Sequence, residues 1–274
     1  MQASPAWTAP TGTLGRIVGE ARQRAAELRP RLAELEAGAA SALAGPSMLQ
    51  ALASTESGIA VIAEVKRRSP SKGWINAEIT AAAQATAYEL GGAAAISVLT
   101  EPAHFGGSNE DLVAVRATVR IPALKKDFHV DPIQLIEARS LSASAALLIA
   151  RALGPSELPA MTEAARRLGL EVIVEIRDED ELLRALDAGA TIIGVNNRNL
   201  ETLEIDPRTS EKLIPKIPAN VIAIAESGVT GRADVERVAG FGADAVLVGS
   251  AISAAADPSA AVTALTGVPR VARD

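Results

Sequence analysis

Leu14, Ile17, Val18, Ala21, Ala25, Leu28, Leu32 and Leu35 recur at three- and four-residue steps, with Arg and Glu filling the positions between. That spacing lays the apolar side chains along one stripe of a helix. Pro30 falls inside it, and a proline within a helix removes an N–H and crowds the preceding turn, so a kink or split is expected there. The ten residues ahead, rich in Ala and Pro, are expected to be loose. From residue 59 the texture changes to short β-branched apolar runs alternating with polar-faced helical segments, the mark of repeated βα units rather than hairpins.

Eight such runs can be read: 59–66, 94–100, 121–128, 145–150, 171–176, 191–196, 221–228 and 245–250. Gly91-Gly92, Gly189 and Gly242 precede the second, sixth and eighth, and glycine there ends a helix because it enters the left-handed conformation without a Cβ clash. Before the fourth run stands Ser140-Leu141-Ser142-Ala143, which is expected to turn by other means. Eight consecutive units favour a closed (β/α)8 TIM barrel, residues 59–274, behind an N-terminal helical extension, residues 1–58, in one structural domain. An open doubly wound sheet is the alternative.

The chain has 274 residues, 48% hydrophobic and 22% charged, enough to bury a substantial core. A net charge of −6 gives no general attraction to nucleic acid or anionic membranes. Lys66-Arg67-Arg68 does not change that, since three basic residues in an acidic chain with 2% aromatics make a poor nucleic-acid footprint. The absence of cysteine removes disulfides, thiolate metal sites and a cysteine nucleophile. No signal-peptide pattern and no apolar run of ~18 residues is present, so a cytoplasmic protein is expected.

In such a barrel the active site lies at the C-terminal ends of the strands. Four runs end in ionisable residues: Glu64 and Lys66, Lys126, Glu175, and Glu226. Glu64 and Lys66 are two apart, so a strand points both to one face. Charges at the ends of apolar strands cost desolvation energy unless paired or bound to ligand. An isolated strand-end lysine is more often a solvated rim residue; five such groups on four strands converge on one mouth, a set suited to proton transfer. Asp178-Glu179-Asp180-Glu181 reads instead as the acidic first turn of a helix. Glu226-Ser227-Gly228 and Gly249-Ser250 follow the last two runs, where these barrels often bind phosphate through backbone amides, although tight turns would use the same residues. Ser69 to Gly73, SPSKG, adds a Ser- and Gly-rich loop after the first run and is not a Walker motif. His104 and His129 lack metal-ligand spacing and company, and are expected to be surface or hydrogen-bonded histidines.

In order along the chain, IAEVKRRSPSKG, SVLTEPAHFGGS, LKKDFHVDPIQLIEAR, VEIRDEDEL, GVNNRNLETLEID, IAESGV and VGSA resemble the indole-3-glycerol phosphate synthase family, over residues 59–251. The N-terminal helical segment is similar to the one this family places ahead of its barrel. The resemblance implies decarboxylating, dehydrating ring closure of 1-(2-carboxyphenylamino)-1-deoxyribulose 5-phosphate, without metal or organic cofactor. It implies that Lys126 is the general acid for ring closure and that Lys66 engages the substrate carboxylate and delivers a proton in dehydration. Glu175 would be an acid/base residue and Glu64 a partner in the charged network. By the same resemblance, Asn196 and Arg198 hold the substrate and its carboxylate, and Phe105, Phe128 and Leu200 wall its aromatic ring. Ser69, Gly228, Gly249 and Ser250 contact phosphate, with Glu226 and Ser227 beside them. Arg177 stands where many relatives have His, and Ser142 to Ser144 replace a common Gly-Ala-Asp; neither departure falls on a matched catalytic position. A phosphosugar isomerase using a Cys base finds no Cys here. A lysine Schiff-base aldolase and a noncatalytic phosphate-ligand-binding barrel remain as rivals.

Overall fold

A computed structural model describes residues 7–54, 58–71, 73–77 and 80–273. Lys72 of the SPSKG loop and most of the segment expected to be loose lie outside the described residues. The eight apolar runs are strands: β1 (Ala60–Val65), β2 (Ala95–Leu99), β3 (Ala123–Lys126), β4 (Ala145–Ile149), β5 (Glu171–Ile176), β6 (Ile192–Asn196), β7 (Ile222–Glu226) and β8 (Ala245–Val248). Each pairs in parallel with the next, and β8 pairs with β1, so the sheet closes and the open-sheet alternative falls away. Most strands are one to four residues shorter than their runs; Lys66, Ser227 and Gly228, for instance, lie past the last ladder pair. After β1, Arg68–Ser69 and Gly73–Trp74 pair antiparallel as a small hairpin.

Alternation along each strand sorts the side chains. On β1, Ala60 and Ile62 join an inner cluster with Leu124, Ile173, Ile192 and Ile224, while Val61, Ala63 and Val65 join the layer between strands and outer helices. Both layers consist mainly of Ala, Val, Ile and Leu, which fill a barrel without polar atoms needing partners.

The N-terminal stripe forms α1 (Gly12–Leu28), a 3-10 turn over Arg29–Arg31 and α2 (Leu32–Ser41), so the chain splits at Pro30 as expected. The turn shifts the phase of the stripe. Leu32 is consequently exposed, contrary to the uninterrupted pattern, and Leu35 packs instead with Ala25 and Ile133. Leu14, Ile17, Val18 and Ala21 of α1 cluster with Phe128, Leu147 and Ile149 at the C-terminal ends of the strands. At the opposite end α3 (Met48–Ala53) puts fully buried Met48 and Leu52 against the inner layer. Glu171, at the start of β5, anchors it by accepting from Ser47 Oγ (2.7 Å) and Leu49 N (2.9 Å). The C-terminal tail lies at this base too: Val268 O accepts from Ile59 N (2.8 Å), and Arg273 donates to Ile217 O (3.2 Å).

Gly92, Gly189 and Gly242 take positive φ before their strands, as expected. Ser142 corrects the reading before β4: with φ 59° it makes the same turn as the glycines. Its N–H meets Arg139 O (3.0 Å) and Ala143 N meets Ala138 O (3.1 Å), matching Gly189 to Leu186 and Ala190 to Ala185. Asp178 caps the helix Glu179–Asp187, accepting from Glu181 N, so that acidic run is a helix start.

Candidate active site

A cleft with about 850 Å³ of empty space opens at the C-terminal ends of the strands. Lys126 reaches into it from the end of β3. Its Nζ lies 2.9 Å from Glu226 Oε2 and 3.7 Å from Glu175 Oε2, so one ammonium holds carboxylates from β7 and β5. Across the cleft Lys66 Nζ pairs with Glu64 Oε1 at 2.8 Å, the contact expected of residues two apart on one face. The three glutamates are 1–4% exposed. Such buried charges persist only when paired.

Burial and pairing shift the titration of Lys126, Glu64 and Glu175. Burial opposes charge on Lys126 most strongly, but Glu226, Glu175 and Glu64 together raise its pKa above the ordinary lysine value. Burial also pushes Glu64 up, yet Lys66 and Lys126 hold it below the usual carboxylate range. Glu175 goes the other way. Burial, then the charge of Glu226, raise it to about 7, against the pull of Lys126 and a hydrogen bond from Asn196. The site therefore joins a fixed ammonium to a carboxyl group that exchanges its proton near neutrality. Among the described residues, Glu64 Oε2 and Glu226 Oε1 are buried without a hydrogen-bond partner.

Two barrel glycines make room for these acids. A Cβ on Gly249 would stand 2.5 Å from Glu64 Oε1, and one on Gly194 would meet Glu226 Oε1. Neither glycine needs a positive φ, so the requirement is space.

Asn196, opposite Glu226 in the β6–β7 register, accepts from Arg198 N through Oδ1 (2.9 Å). Arg198 donates through Nη1 to Leu203 O (2.8 Å), and Leu203 stands at φ 68° to present that carbonyl. Phe105 and Phe128 lie with ring centroids 6.1 Å apart, and Lys66 Nζ is 6.0 Å from the Phe105 centroid. Leu200 lines the same cleft, as do Ser69, Ser227 and Ser250. Ser227 and Gly228 take positive φ in succession after β7, while Gly249 precedes the short helix Ser250–Ser253. All four residues expected to be catalytic and the residues expected to wall the ring thus meet in one cleft.

Sequence reasoning missed its roof. Thr13, Leu14 and Ile17 of α1 line the cleft; periodicity marked their stripe as buried without saying against what. It also missed the charged layer behind Lys126. Asp127 accepts from Thr100 Oγ1 (2.8 Å) and Arg24 Nη2 (2.9 Å), and buried Lys125 pairs with Glu137 at 3.3 Å. Although burial opposes it, the neighbouring positive charges, Lys125 first, hold Asp127 at about 2. His129 belongs to this layer, buried, with Nδ1 2.8 Å from Leu147 O; burial depresses it to about 4 and keeps it neutral. His104 needs a correction, for it has company: Nε2 meets Glu20 at 2.6 Å, and Glu20, Glu101 and His104 offer ligand atoms within 4.8 Å of one another. Glu101 is already engaged, capping Ala103, His104 and Phe105 and pairing with Arg24.

Among the described residues no helix is long and apolar enough to cross a membrane. A family model described as indole-3-glycerol phosphate synthase matches residues 14–265. Indole-3-glycerol phosphate synthase 1 of Streptomyces coelicolor is 48% identical over 252 residues, 92% of this chain and 94% of that protein. Indole-3-glycerol phosphate synthase of Rhodococcus jostii is 51% identical over 228 residues, 83% of this chain and 84% of its own. Among solved structures, 3-hexulose-6-phosphate synthase from Salmonella typhimurium aligns with TM-score 0.62 at 17% identity, covering 76% of this chain and 96% of that one, a likeness of fold alone.

Proposed function

The chain belongs to the indole-3-glycerol phosphate synthase family, and from that premise we propose how its residues divide the work of the carboxy-lyase reaction in tryptophan biosynthesis. The substrate is 1-(2-carboxyphenylamino)-1-deoxyribulose 5-phosphate, and the products are indole-3-glycerol phosphate, carbon dioxide and water. The observation that carries the reading is Lys126 Nζ held between Glu226 and Glu175 at the base of the cleft.

Lys126 is the general acid of ring closure. As the carboxylate-bearing ring carbon attacks the ribulose C2′ carbonyl, the ammonium protonates the developing alkoxide, and loss of carbon dioxide returns the electron pair to the aromatic ring. Dehydration then removes a C1′ proton and the C2′ hydroxyl. Glu175 takes the proton, a role that its position near neutrality suits, and Lys66 protonates the departing hydroxyl. Glu64 pairs with Lys66 and aims it. Arg198 meets the substrate carboxylate with a planar fork suited to two hydrogen bonds. Phe105, Phe128 and Leu200 flank the ring. The amides and hydroxyls of Ser69, Gly228, Gly249 and Ser250 take the phosphate.

Adding this substrate to purified protein and following indole absorbance tests the reading, with and without a chelator. Turnover in both arms is expected. No indole product from a folded protein would overturn the function, and an adduct trapped by borohydride would transfer the site to Schiff-base chemistry.

A further inference from the structure

Thr13, Leu14 and Ile17 roof the cleft, yet the helix carrying them begins only at Gly12 and its N-terminal residue, Thr11, makes no side-chain cap. The open amides of a first turn need acceptors. A distant glutamate supplies two, one from its carboxylate and one from its main chain. Glu201, in the loop after β6, accepts through Oε1 from Thr11 N (2.7 Å) and Thr11 Oγ1 (3.3 Å), and its main-chain oxygen accepts from Thr13 N (3.3 Å). Gly12 permits the approach, with φ 59° and only 2.6 Å between a Cβ placed there and Glu201 O.

Glu201 is itself set by a second loop. Arg151, after β4, donates to Glu201 Oε1 (2.9 Å) and to Thr8 O (2.6 Å), while its own carbonyl accepts from Trp7 Nε1 (3.4 Å). Two strand-end loops therefore clasp residues 7–13 from both sides. Both charged side chains are about a quarter exposed, and the Thr11 amide holds the Glu201 carboxyl below its usual range. Neither touches the cleft, but Leu200 and Leu203, flanking Glu201, do.

We propose that Glu201, set by Arg151, is a positioning residue that holds the first turn of α1 as the roof of the substrate cleft. This rests on the reading of the cleft as the substrate site. The roof contributes apolar contact alike to substrate and transition state, so its loss raises KM more than it lowers kcat. Nothing in the acid–base set depends on it.

The test compares wild type, Glu201→Ala, Glu201→Gln and Arg151→Met in steady-state kinetics beside thermal melts, each also in a Trp74→Phe background that leaves Trp7 as the reporter. Glu201→Ala is expected to raise KM ~10-fold with kcat within ~3-fold of wild type, and to red-shift Trp7 emission. Glu201→Gln keeps an acceptor for the Thr11 amide and recovers most of the affinity. A folded Glu201→Ala with unchanged KM overturns the proposal, as does a lower melting temperature as its sole effect. Should the alanine variant not fold, Arg151→Met, which removes the donors to Glu201 and Thr8, decides: a raised KM is expected, and an unchanged KM refutes the clasp. Failure of the functional reading looks different, since wild type itself then makes no indole.

Discussion

Gly194 lies where any side chain would displace Glu226: a Cβ there would stand 2.0 Å from Glu226 Oε1 and 3.4 Å from Ile173 Cγ2. The carboxylate that holds Lys126 thus occupies space left open by a neighbouring strand. Gly194→Ala is expected to push Glu226 off Lys126, costing ~1–3 kcal/mol of stability as overpacking does and lowering kcat. A thermal melt and a rate assay check both. Wild-type turnover in this variant would mean that Glu226 need not stand where it does.

Lys126→Met keeps an apolar stem and removes the acid. Turnover should fall ~100-fold or more, the scale of a lost general acid, with a smaller change in KM because other residues hold phosphate and carboxylate. The fold should survive because Glu175, already raised to about 7, can take up a proton. A carboxyl group whose folded pKa is raised favours the fold when protonated, so stability falls as pH rises from about 4.5 through 7. That fall should steepen in Lys126→Met, measured as melting temperature between pH 5 and pH 8. Nearly unchanged kcat would return Lys66 to first place.

The same titration predicts the pH dependence of catalysis. If Glu175 accepts the C1′ proton it must be ionised, so kcat/KM should rise with pH through about 7. Glu175→Gln should lose that limb together with most of the rate. A wild-type profile flat across neutrality would deny Glu175 the role of base.

Arg24 ties α1 to Asp127 and Glu101 (2.9 and 3.4 Å). Its replacement by Met should cost roughly 2 kcal/mol, the scale of a charged hydrogen bond. Asp127 is depressed to about 2, so its contribution is present above its unfolded value near 3.8 and lost as pH falls through 2. Without Arg24 the depression weakens, and acid unfolding should begin at a higher pH. Circular dichroism against pH measures this; coincident curves would show that Asp127 does not depend on Arg24.

The barrel and its charged mouth were legible because each breaks a pattern. Lys126 and Glu175 interrupt apolar runs where a strand should end, and the cost of burying charge makes such interruptions meaningful. What escaped was contact between elements. Glu201 reads as one more acid in a polar loop, and nothing in its neighbours reveals that it meets Thr11, 190 residues away. Ser142 escaped because its turn is one that glycine usually makes. Lys125 escaped for the opposite reason: beside Lys126 it looks like a second rim charge, whereas alternation turns it outward into a buried layer with Asp127 and Glu137.

The two ends of the described chain lie on opposite faces of the barrel. Trp7 and Thr8 rest on the Arg151 loop beside the cleft, whereas Arg270 and Arg273 are tied to the base through Gly58 and Ile217. A change at Trp7 or Thr8 therefore bears on the doorway to the cleft, whereas one at Arg270 or Arg273 bears on the floor of the barrel.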